Sequence, residues 1–261
     1  MTSFFSIITV SKNNYKELKQ TMDSIKSLKS DNFEWIPVLS GNCSSSLNLV
    51  SKKYSFKVNP TINQDKNLWD AMNIGINKSV NKYLIFMNAG DTFYDKYVLS
   101  KISIIINNHN YPDLIYGNTV ELINGTKNYK KSLNHKFIKY GMFANHQSIF
   151  FKKKILDQYD LKYNFKDFPN SADYALLAEI ITKKTSIKYV DEYISNFLSG
   201  GTSYSPKYIL TGRKEQILIK KNILKINIFE IYFYSCLQKF LWFVRKHFFK
   251  TYKVFRFQKN N

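Results

Sequence analysis

Two acidic residues follow an apolar run in the first half of the chain. The stretch YLIFMNAGDTFYD, residues 83–95, turns from apolar to acidic at Asp91, and Asp95 follows four residues later. A carboxylate at the end of a buried strand can cap the next helix, or it can hold a ligand or a divalent cation. The local sequence leaves both roles open, and the choice depends on which other residues the fold brings to the same place.

Apolar runs without polar alternation alternate with helical patterns up to this acid. We predict strands at 4–10, 33–39, 56–58 and 83–87. The predicted helices between them bury two sets of apolar residues at helical spacing, namely Leu18, Met22, Ile25 and Leu28, then Leu68, Met72, Ile76 and Val80. This alternation indicates an α/β fold with a mostly parallel central sheet and helices on both faces.

The turns after three of these strands carry polar side chains. In parallel sheets, ligands bind outside the carboxyl ends of the strands. We therefore expect Ser11–Asn14, Ser40–Ser46 and Asn88–Asp91 to share one edge of the sheet. Asp91 would then lie among groups from three different strands.

The second half of the chain is less regular. Ser171 is a candidate N-cap for a helix over 171–183 that buries Tyr174, Leu177 and Ile181. The other predicted elements are helices at 97–106 and 206–224 and strand material at 114–123, 146–153, 187–190 and 194–203.

Composition and charge narrow the class of protein. The 261 residues are 44% hydrophobic, which argues against disorder, and the net charge of +20 implies an anionic partner. Cys43 and Cys236 form no metal-binding or disulfide pattern, and we expect a reducing, intracellular setting without a signal peptide or membrane-spanning helix. No GxGxxG follows the first strand, which excludes an NAD-dependent dehydrogenase.

Residues 231–259 differ from the rest of the chain, and no acid occurs after Glu230. At helical periodicity one face holds Leu237, Phe240, Leu241, Val244, Phe248, Tyr252 and Phe255, and the other holds Lys239, Lys246, Lys250 and Lys253. Such a helix suits an anionic membrane surface. The alternative is a helix packed on the core with a solvated basic face. Because the charge is concentrated on this tail and no recognition module is visible, we expect no nucleic acid partner.

Three stretches together resemble the pattern of glycosyltransferase family 2, in particular the bacterial colanic-acid, O-antigen and capsule sugar transferases. These are NQDKNLWDAMNIGI (63–76), YLIFMNAGD (83–91) and SADYALLAEI (171–180). HQSIFF (146–151) and FLSGGTS (197–203) also resemble later parts of that pattern, so that the resemblance covers about residues 4–205.

The resemblance implies a GT-A fold in residues 1–224, with a nucleotide-sugar-binding half at about 1–110 and an acceptor half at 111–224. Residues 225–261 would form a basic, aromatic, amphipathic helical tail that associates with the membrane. The implied reaction is inverting transfer of a sugar, of the hexosyl type, from a nucleotide-diphosphate sugar such as a UDP-sugar. The acceptor would be a lipid-linked saccharide in surface polysaccharide biosynthesis, at the cytoplasmic face of the cell membrane.

Two acids receive roles from the resemblance. Asp91 matches the last acid of the family's DxD-like motif and would hold Mn²⁺ or Mg²⁺, which neutralises the departing diphosphate. Asn88 stands where the first acid of that motif often stands. Asp173 matches the general base that removes the acceptor's proton. The alternative for Asp173 is an acid that stabilises a helix N-terminus.

The remaining implied contacts fall into two sets. For the nucleotide sugar they are Thr9, Ser11, Asn13, Ser40, Asp65, Asp70, Asn73, Asn88, Ala89 and Gly90. For the acceptor or a phosphate they are His146, Gln147, Gly200 and Gly201. The alternative for several of these residues, above all for Asp70 and His146, is a purely structural role in a turn or in the core.

The sequence departs from the family pattern after the second strand. Members usually carry D-G-x-S-x-D-x-T, whereas this chain has serine at both acidic positions, Ser40 and Ser45. A serine hydroxyl can still hydrogen-bond a uracil or ribose as a neutral partner. The loss of the two acids motivates an alternative function, namely a non-catalytic GT-A protein that binds a sugar or a partner.

Overall fold

The computed structural model describes residues 4–62, 64, 67–123, 125–198, 206–248, 252, 256 and 257. The strands are β1 (Phe5–Lys12), β2 (Phe33–Ser40), β3 (Lys57–Val58), β4 (Thr61–Ile62), β5 (Tyr83–Phe86), β6 (Thr92–Phe93), β7 (Leu114–Ile123), β8 (Thr126–Lys130), β9 (Ile149–Lys152) and β10 (Ile187–Leu198). The helices are α1 (Tyr15–Lys26), α2 (Ser44–Val50), α3 (Leu68–Lys78), α4 (Val98–Asn108), α5 (Lys153–Gln158), α6 (Ala172–Thr182), α7 (Pro206–Asn222) and α8 (Ile228–His247). Two 3₁₀ turns span His135–Lys139 and His146–Ser148.

One sheet runs through the described residues in the order β3-β2-β1-β5-β9-β7-β10-β6, with β4 beside β2 and β8 beside β7. β1 pairs in parallel with β2 and with β5, in a register that sets Phe5 opposite Phe33 and Tyr83. β7 and β10 are also parallel, whereas β9 runs antiparallel to both β5 and β7. The first half of the sheet is therefore parallel, as predicted, and the antiparallel β9 joins it to the second half.

Both faces of the sheet are buried, which explains why its strands show no polar alternation. Along β1, Phe5 and Ile7 enter the core on one face, together with α1 and α4. Ile8 and Val10 enter the core on the other face, together with α3 and α6. The carboxyl ends of β1, β2 and β5 are thus fixed relative to one another by two hydrophobic cores.

The structure corrects several predicted boundaries. The predicted burial of Val80 is wrong, because α3 ends at Lys78 and Val80 is exposed. Leu68, in the first turn of α3, is exposed as well. Strand β9 begins only at Ile149, since the preceding 3₁₀ turn uses its side chains for hydrogen bonds. The strand material at 187–190 and 194–198 is one continuous strand, β10, and residues 199–203 lie outside the described residues.

The C-terminal stripe also differs from its prediction. Helix α8 ends at His247, and apolar side chains lie on two of its faces. Leu241 and Val244 face a cleft in the domain, Phe240 lies at the border of that cleft and is 61% exposed, and Phe248 of the same predicted stripe is largely exposed. Lys250, Lys253 and Phe255 lie outside the described residues. No helix among the described segments is long and apolar enough to cross a membrane.

Candidate active site

The turns after β1, β2 and β5 meet at one edge of the sheet, as predicted. The backbone amide of Asn13 donates to the carbonyl of Ser40 at 3.4 Å, and the amide of Ala89 donates to the carbonyl of Val10 at 3.2 Å. These backbone hydrogen bonds link the turn after β1 to the end of β2 and the turn after β5 to β1. The predicted donor-binding residues of the three turns are therefore neighbours in the fold.

Asn13 and Gly41 form the tightest contact of this edge. The Asn13 side-chain oxygen accepts the amide of Asn42 at 2.6 Å. Gly41 has φ +74°, and a Cβ atom there would lie 2.2 Å from that same oxygen. Position 41 requires glycine because its φ is positive and because a side chain there would collide with the side chain of Asn13. The glycine of the family's D-G-x-S pattern thus keeps its place although the adjacent acid is a serine.

Asp91 is not a helix cap. Its side chain is buried, with 4% of the residue exposed, and the backbone amide of Leu198 donates to its Oδ1 at 3.0 Å. The Gln147 side chain donates a second hydrogen bond to it. The turn before α4 uses Asp95 instead, which accepts the amide of Tyr97 at 2.7 Å. Asp91 is therefore available for ligand chemistry at the end of β5.

Burial controls the charge of Asp91. Desolvation raises the pKa of its carboxyl group to about 7, against the hydrogen bonds from Leu198 and Gln147, which lower it. An acid in this condition is stabilised in its ionised form by a nearby cation. A divalent ion would therefore offset the cost of burying this carboxylate.

Thr21 holds the turn that carries Asp91, and it was not among the predicted site residues. Its hydroxyl donates to the carbonyl of Asp91 at 2.7 Å and accepts the amide of Gly90 at 3.0 Å. Thr21 lies on the buried face of α1 beside Leu18 and Met22. A hydroxyl within that apolar stripe is the signal that could have identified it.

Three buried oxygen atoms at this edge have no hydrogen-bond partner within the part of the chain that the structure describes. They are Oγ of Ser40, Oδ1 of Asn88 and Oγ1 of Thr61. Thr61 belongs to β4, which pairs with the end of β2, and it was not among the predicted residues. Buried polar atoms are normally paired, so these oxygens mark places where a bound ligand would complete the hydrogen bonding.

The same edge of the sheet offers few ligands for a divalent cation. Within the described ranges, no cluster of three or more His, Cys, Asp or Glu residues could enclose a metal ion. The available ligands are the Asp91 carboxylate and the unpaired amide oxygen of Asn88. Mg²⁺ and Mn²⁺ are often held by one or two protein oxygens, with substrate phosphates and water completing the shell. The residues fit a cation of that kind, bound together with a diphosphate.

Asp173 lies in the first turn of α6, as predicted. It is half-buried, and the amide of Tyr174 donates to its Oδ1 at 2.8 Å. Burial raises the pKa of Asp173 to about 6, the backbone hydrogen bonds oppose the rise, and Glu215 adds to it. A carboxylate with a pKa near the working pH is well suited to accept a proton.

Asp173 opens into a cleft of about 850 Å³. The walls of the cleft are the start of α6, the helices α7 and α8, and the segment around Tyr140 and Met142. Gln238 of α8 donates to the carbonyl of Tyr140, which ties α8 to that segment. The C-terminal helix is thus part of the cleft and not a separate appendage.

His146 and Gln147 are neighbours in sequence with different surroundings. The His146 ring is packed against Phe86, Phe151 and Tyr163, and its Nε2 contacts the Tyr163 hydroxyl. Burial lowers the pKa of His146 to about 3, so the ring is neutral. His146 is therefore a core residue here, whereas Gln147 reaches the carboxylate of Asp91.

Other predicted contacts have structural partners. The Thr9 hydroxyl is buried and accepts the indole N–H of Trp35 at 2.9 Å, and the Ser11 hydroxyl donates to the carbonyl of Asn14. Asn73 is bonded twice to the backbone of Tyr163, at 3.0 and 2.8 Å. Asp70 is half-buried in the first turn of α3. Asp65, Gly200 and Gly201 lie outside the described residues.

The chain was compared with known proteins. Residues 6–172 match the family described as Glycosyl transferase family 2. A PGL/p-HBAD biosynthesis glycosyltransferase of Mycobacterium bovis is 25% identical over 183 residues, which cover 64% of this chain and 71% of the relative. A relative of the same description from Mycobacterium tuberculosis matches to the same extent.

Two solved structures share the fold. S. aureus TarS 1–349 in complex with UDP superposes with a TM-score of 0.66 at 14% identity, over 84% of this chain and 66% of that chain. The mannosyltransferase PcManGT from Pyrobaculum calidifontis, in complex with GDP-Man and Mn²⁺, gives a TM-score of 0.63 at 8% identity, over 87% and 66%. The chain thus spans just under two thirds of each of these structures.

The predicted GT-A fold is confirmed by these superpositions and by the mixed sheet with helices on both faces. The match to the family covers well over half of the chain, from β1 to the start of α6, and includes the turn that carries Asp91. The chain therefore belongs to glycosyl transferase family 2.

Proposed function

We propose that the protein transfers a sugar, with inversion, from a nucleotide-diphosphate sugar to a hydroxyl group of a lipid-linked saccharide. One observation carries the proposal. Two carboxyl groups with raised pKa values support it, Asp91 beside the three joined strand ends and Asp173 in a large cleft. Two acids in different environments can take different roles in one reaction, here as metal ligand and as general base.

The donor would bind at the edge formed by β1, β2 and β5. The unpaired oxygens of Ser40, Thr61 and Asn88 offer hydrogen bonds to a nucleoside or ribose. We favour a UDP-sugar, because a structure of similar fold is TarS in complex with UDP-GlcNAc. Serine at position 40 would act as a neutral partner of the base or ribose.

Asp91 and Asn88 would hold Mn²⁺ or Mg²⁺ together with the donor diphosphate. The cation supplies neutralisation of the charge that develops on the leaving diphosphate. The presence of Mn²⁺ in the PcManGT complex supports this assignment. Leu198 and Gln147 fix the orientation of the carboxylate through their hydrogen bonds.

Asp173 would remove the proton from the acceptor hydroxyl as that oxygen attacks the anomeric carbon. Attack on the side opposite the leaving group inverts the configuration. The hydrogen bond from the Tyr174 amide orients the carboxylate at Oδ1 and leaves Oδ2 for the proton. The half-buried setting keeps its pKa high enough for the base to be effective near neutral pH.

The exposed face of α8 supports peripheral attachment to an anionic membrane. Phe229, Tyr232 and Phe233 are 83%, 73% and 64% exposed, whereas Ile231 between them is buried. Basic residues flank this face, and the chain carries a net charge of +20. Apolar insertion combined with attraction to anionic lipids is the usual binding mode of such helices. We place the protein at the cytoplasmic face, within surface polysaccharide biosynthesis.

Hydrolysis of the donor without an acceptor tests the proposal most directly. UDP-sugars and GDP-mannose would be incubated with the full chain, with and without Mn²⁺, and release of nucleotide measured. Metal-dependent release that is lost in Asp91→Asn and retained in Asp95→Asn supports the transferase. If no nucleotide sugar binds or reacts in any arm, the proposal is overturned in favour of a non-catalytic GT-A protein.

A further inference from the structure

The chain contains three arginines, Arg213, Arg245 and Arg256, among its 39 basic residues. All three line the cleft into which Asp173 opens. Arg213 comes from α7, Arg245 from the last turn of α8, and Arg256 from beyond that helix. Every other residue among these 39 is a lysine. The arginines are therefore concentrated in this cleft and are not spread over the protein with the other positive charges.

Aromatic rings and backbone groups hold these guanidinium groups. Arg213 lies over the ring of Trp242 at 5.3 Å, and Arg245 lies over the ring of Tyr252 at 5.7 Å. Arg256 donates to the carbonyl of Lys131 at 2.9 Å. Stacking of this kind fixes the plane of a guanidinium.

Positive charge exceeds negative charge in the cleft. Asp173 is the sole acid among the described residues of its lining. Nearby Glu215 is engaged by Asn170, whose backbone amide donates to it at 2.9 Å. Burial lowers the pKa of Arg256, Tyr252, Glu121 and Tyr140 oppose this change, and Arg245 adds to it. Guanidinium groups that line one cleft favour a shared counter-anion.

The remaining wall of the cleft is apolar. Leu241, Val244 and Phe240 of α8 line it beside the arginines, and Phe240 is also 61% exposed at the outer surface. The cleft is therefore continuous with the exposed face of α8. An amphiphilic molecule could bind with its anionic group at the arginines and its apolar part along α8.

We propose that Arg213, Arg245 and Arg256 bind a phosphate or diphosphate group of the acceptor, and that this contact positions the acceptor hydroxyl at Asp173. The inference rests on the proposed function and adds the chemical class of the acceptor, a phosphate ester with an apolar chain. Guanidinium suits the task because its planar fork binds phosphate oxygens in pairs. Lysine, which the chain uses elsewhere, lacks that geometry.

Binding can be read at Trp242 without knowledge of the natural acceptor. The full chain labelled with 5-fluorotryptophan has three ¹⁹F resonances, from Trp35, Trp69 and Trp242, and Trp242→Phe assigns the last. The probes are farnesyl diphosphate, inorganic diphosphate and farnesol. We expect farnesyl diphosphate to shift the Trp242 resonance saturably at the lowest concentration, inorganic diphosphate to need a higher one, and farnesol to have little effect.

Variants test the arginines individually. Arg213→Gln and Arg245→Gln should each weaken farnesyl diphosphate binding about tenfold or more, as expected for loss of a charge-assisted hydrogen bond. Arg213→Lys should weaken it as well, since the charge remains but the fork is lost. The matched control is Lys214→Gln, which removes the same charge from the next, exposed position of α7. An effect of Lys214→Gln equal to that of Arg213→Gln would overturn the proposal.

Two further results separate this inference from the proposed function. In Asp91→Asn the Trp242 shift should persist, because the donor side does not form the cleft. The control Lys214→Gln should retain wild-type hydrolysis of the donor in the absence of acceptor. Donor hydrolysis with no Trp242 response to farnesyl diphosphate would refute the arginine site alone, whereas a Trp242 response without donor hydrolysis would refute the transferase.

Discussion

The backbone amide of Leu198 lies 3.0 Å from Oδ1 of Asp91 and donates a hydrogen bond to it, across a separation of 107 residues in sequence. The contact joins the end of β10 to the turn after β5. Gln147, in the turn before β9, bonds to the same carboxylate. The proposed metal ligand is therefore positioned by both halves of the sheet.

Replacement of Asp91 by asparagine should abolish metal-dependent use of the donor. Asparagine keeps an oxygen for the Leu198 amide but removes the charge that attracts the cation. We expect donor turnover to fall by about 100-fold or more, since a catalytic cation contributes several kcal/mol. The measurement is nucleotide release at several Mn²⁺ concentrations.

Asp95→Asn is the matched control for that experiment. Asp95 is the next acid along the chain and is paired with Lys101 at 3.3 Å. Its removal should leave Mn²⁺ dependence unchanged. Equal losses in the two variants would mean that general charge, and not a site at Asp91, governs donor use.

Replacement of Asp173 by asparagine should stop transfer to an acceptor, with a loss of about 100- to 10,000-fold for a general base. In the wild type, kcat/KM for transfer should fall below about pH 6, where the carboxyl group becomes protonated. Glu179→Gln, on the same helix, is the control and should keep both the rate and the pH profile. A pH-independent rate between 5 and 8 would argue against Asp173 as the base.

Asp173 should also lower the stability of the folded protein at neutral pH, where its ionised form is needed for transfer. The folded protein keeps the Asp173 proton up to about pH 6, whereas the ordinary pKa of the group is 3.8. The contribution of this group to the free energy of unfolding therefore falls as the pH rises from about 4 to 6 and remains low above that range. Asp173→Asn should raise Tm at pH 7 relative to wild type and have little effect at pH 4. Calorimetry at the two pH values measures this, and a lower Tm at pH 7 would contradict it.

Gly41→Ala should weaken both stability and donor binding. The positive φ alone costs about 1–2 kcal/mol for a residue with a side chain. The added methyl group would also displace the Asn13 side chain, which lies 2.2 Å from the new Cβ position. Gly125→Ala isolates the first effect, because Gly125 has the same φ of +74° with nothing within 4 Å. Urea unfolding and donor titration of both variants should show a further loss for Gly41→Ala alone.

Polar substitution of the exposed face of α8 should release the protein from membranes. The double variant Phe229→Ser/Phe233→Ser removes two side chains that are 83% and 64% exposed. We expect weaker co-sedimentation with vesicles that contain phosphatidylglycerol and unchanged hydrolysis of a water-soluble donor. Ile104→Ser, on α4 and 61% exposed, is the control for loss of an exposed apolar side chain. Comparable release by Ile104→Ser would assign the binding to general hydrophobicity.

The arrangement of the strand ends could be predicted because it depends on local patterns. Unbroken apolar runs indicate strands buried on both faces, and the turns that follow them must then meet at one edge. Asp91, Ser40 and Asn13 were found in this way. The positions of Asp173 and Ser171 at the start of α6 also follow from a local helix signal.

Contacts between residues that are distant in sequence could not be predicted. The buried hydroxyl of Thr21 is visible in the pattern of α1, but its contact with Asp91 is not, and Thr61 lies in a two-residue strand that has no pattern of its own. His146 has the residue type of a functional group, but the three aromatic rings around it make it part of the core. The side of α8 that faces the cleft depends on its packing against α7 and Tyr140, which periodicity does not specify.

Helix α8 forms one wall of the cleft and also exposes aromatic residues on its outer side. Under the proposed attachment to a membrane through this outer side, the enzyme would encounter its acceptor by diffusion in two dimensions. Its rate would then depend on the mole fraction of acceptor in the lipid and not on the acceptor's bulk concentration. Dilution of the acceptor with inert lipid at constant total acceptor should slow the reaction, as in surface-dilution kinetics.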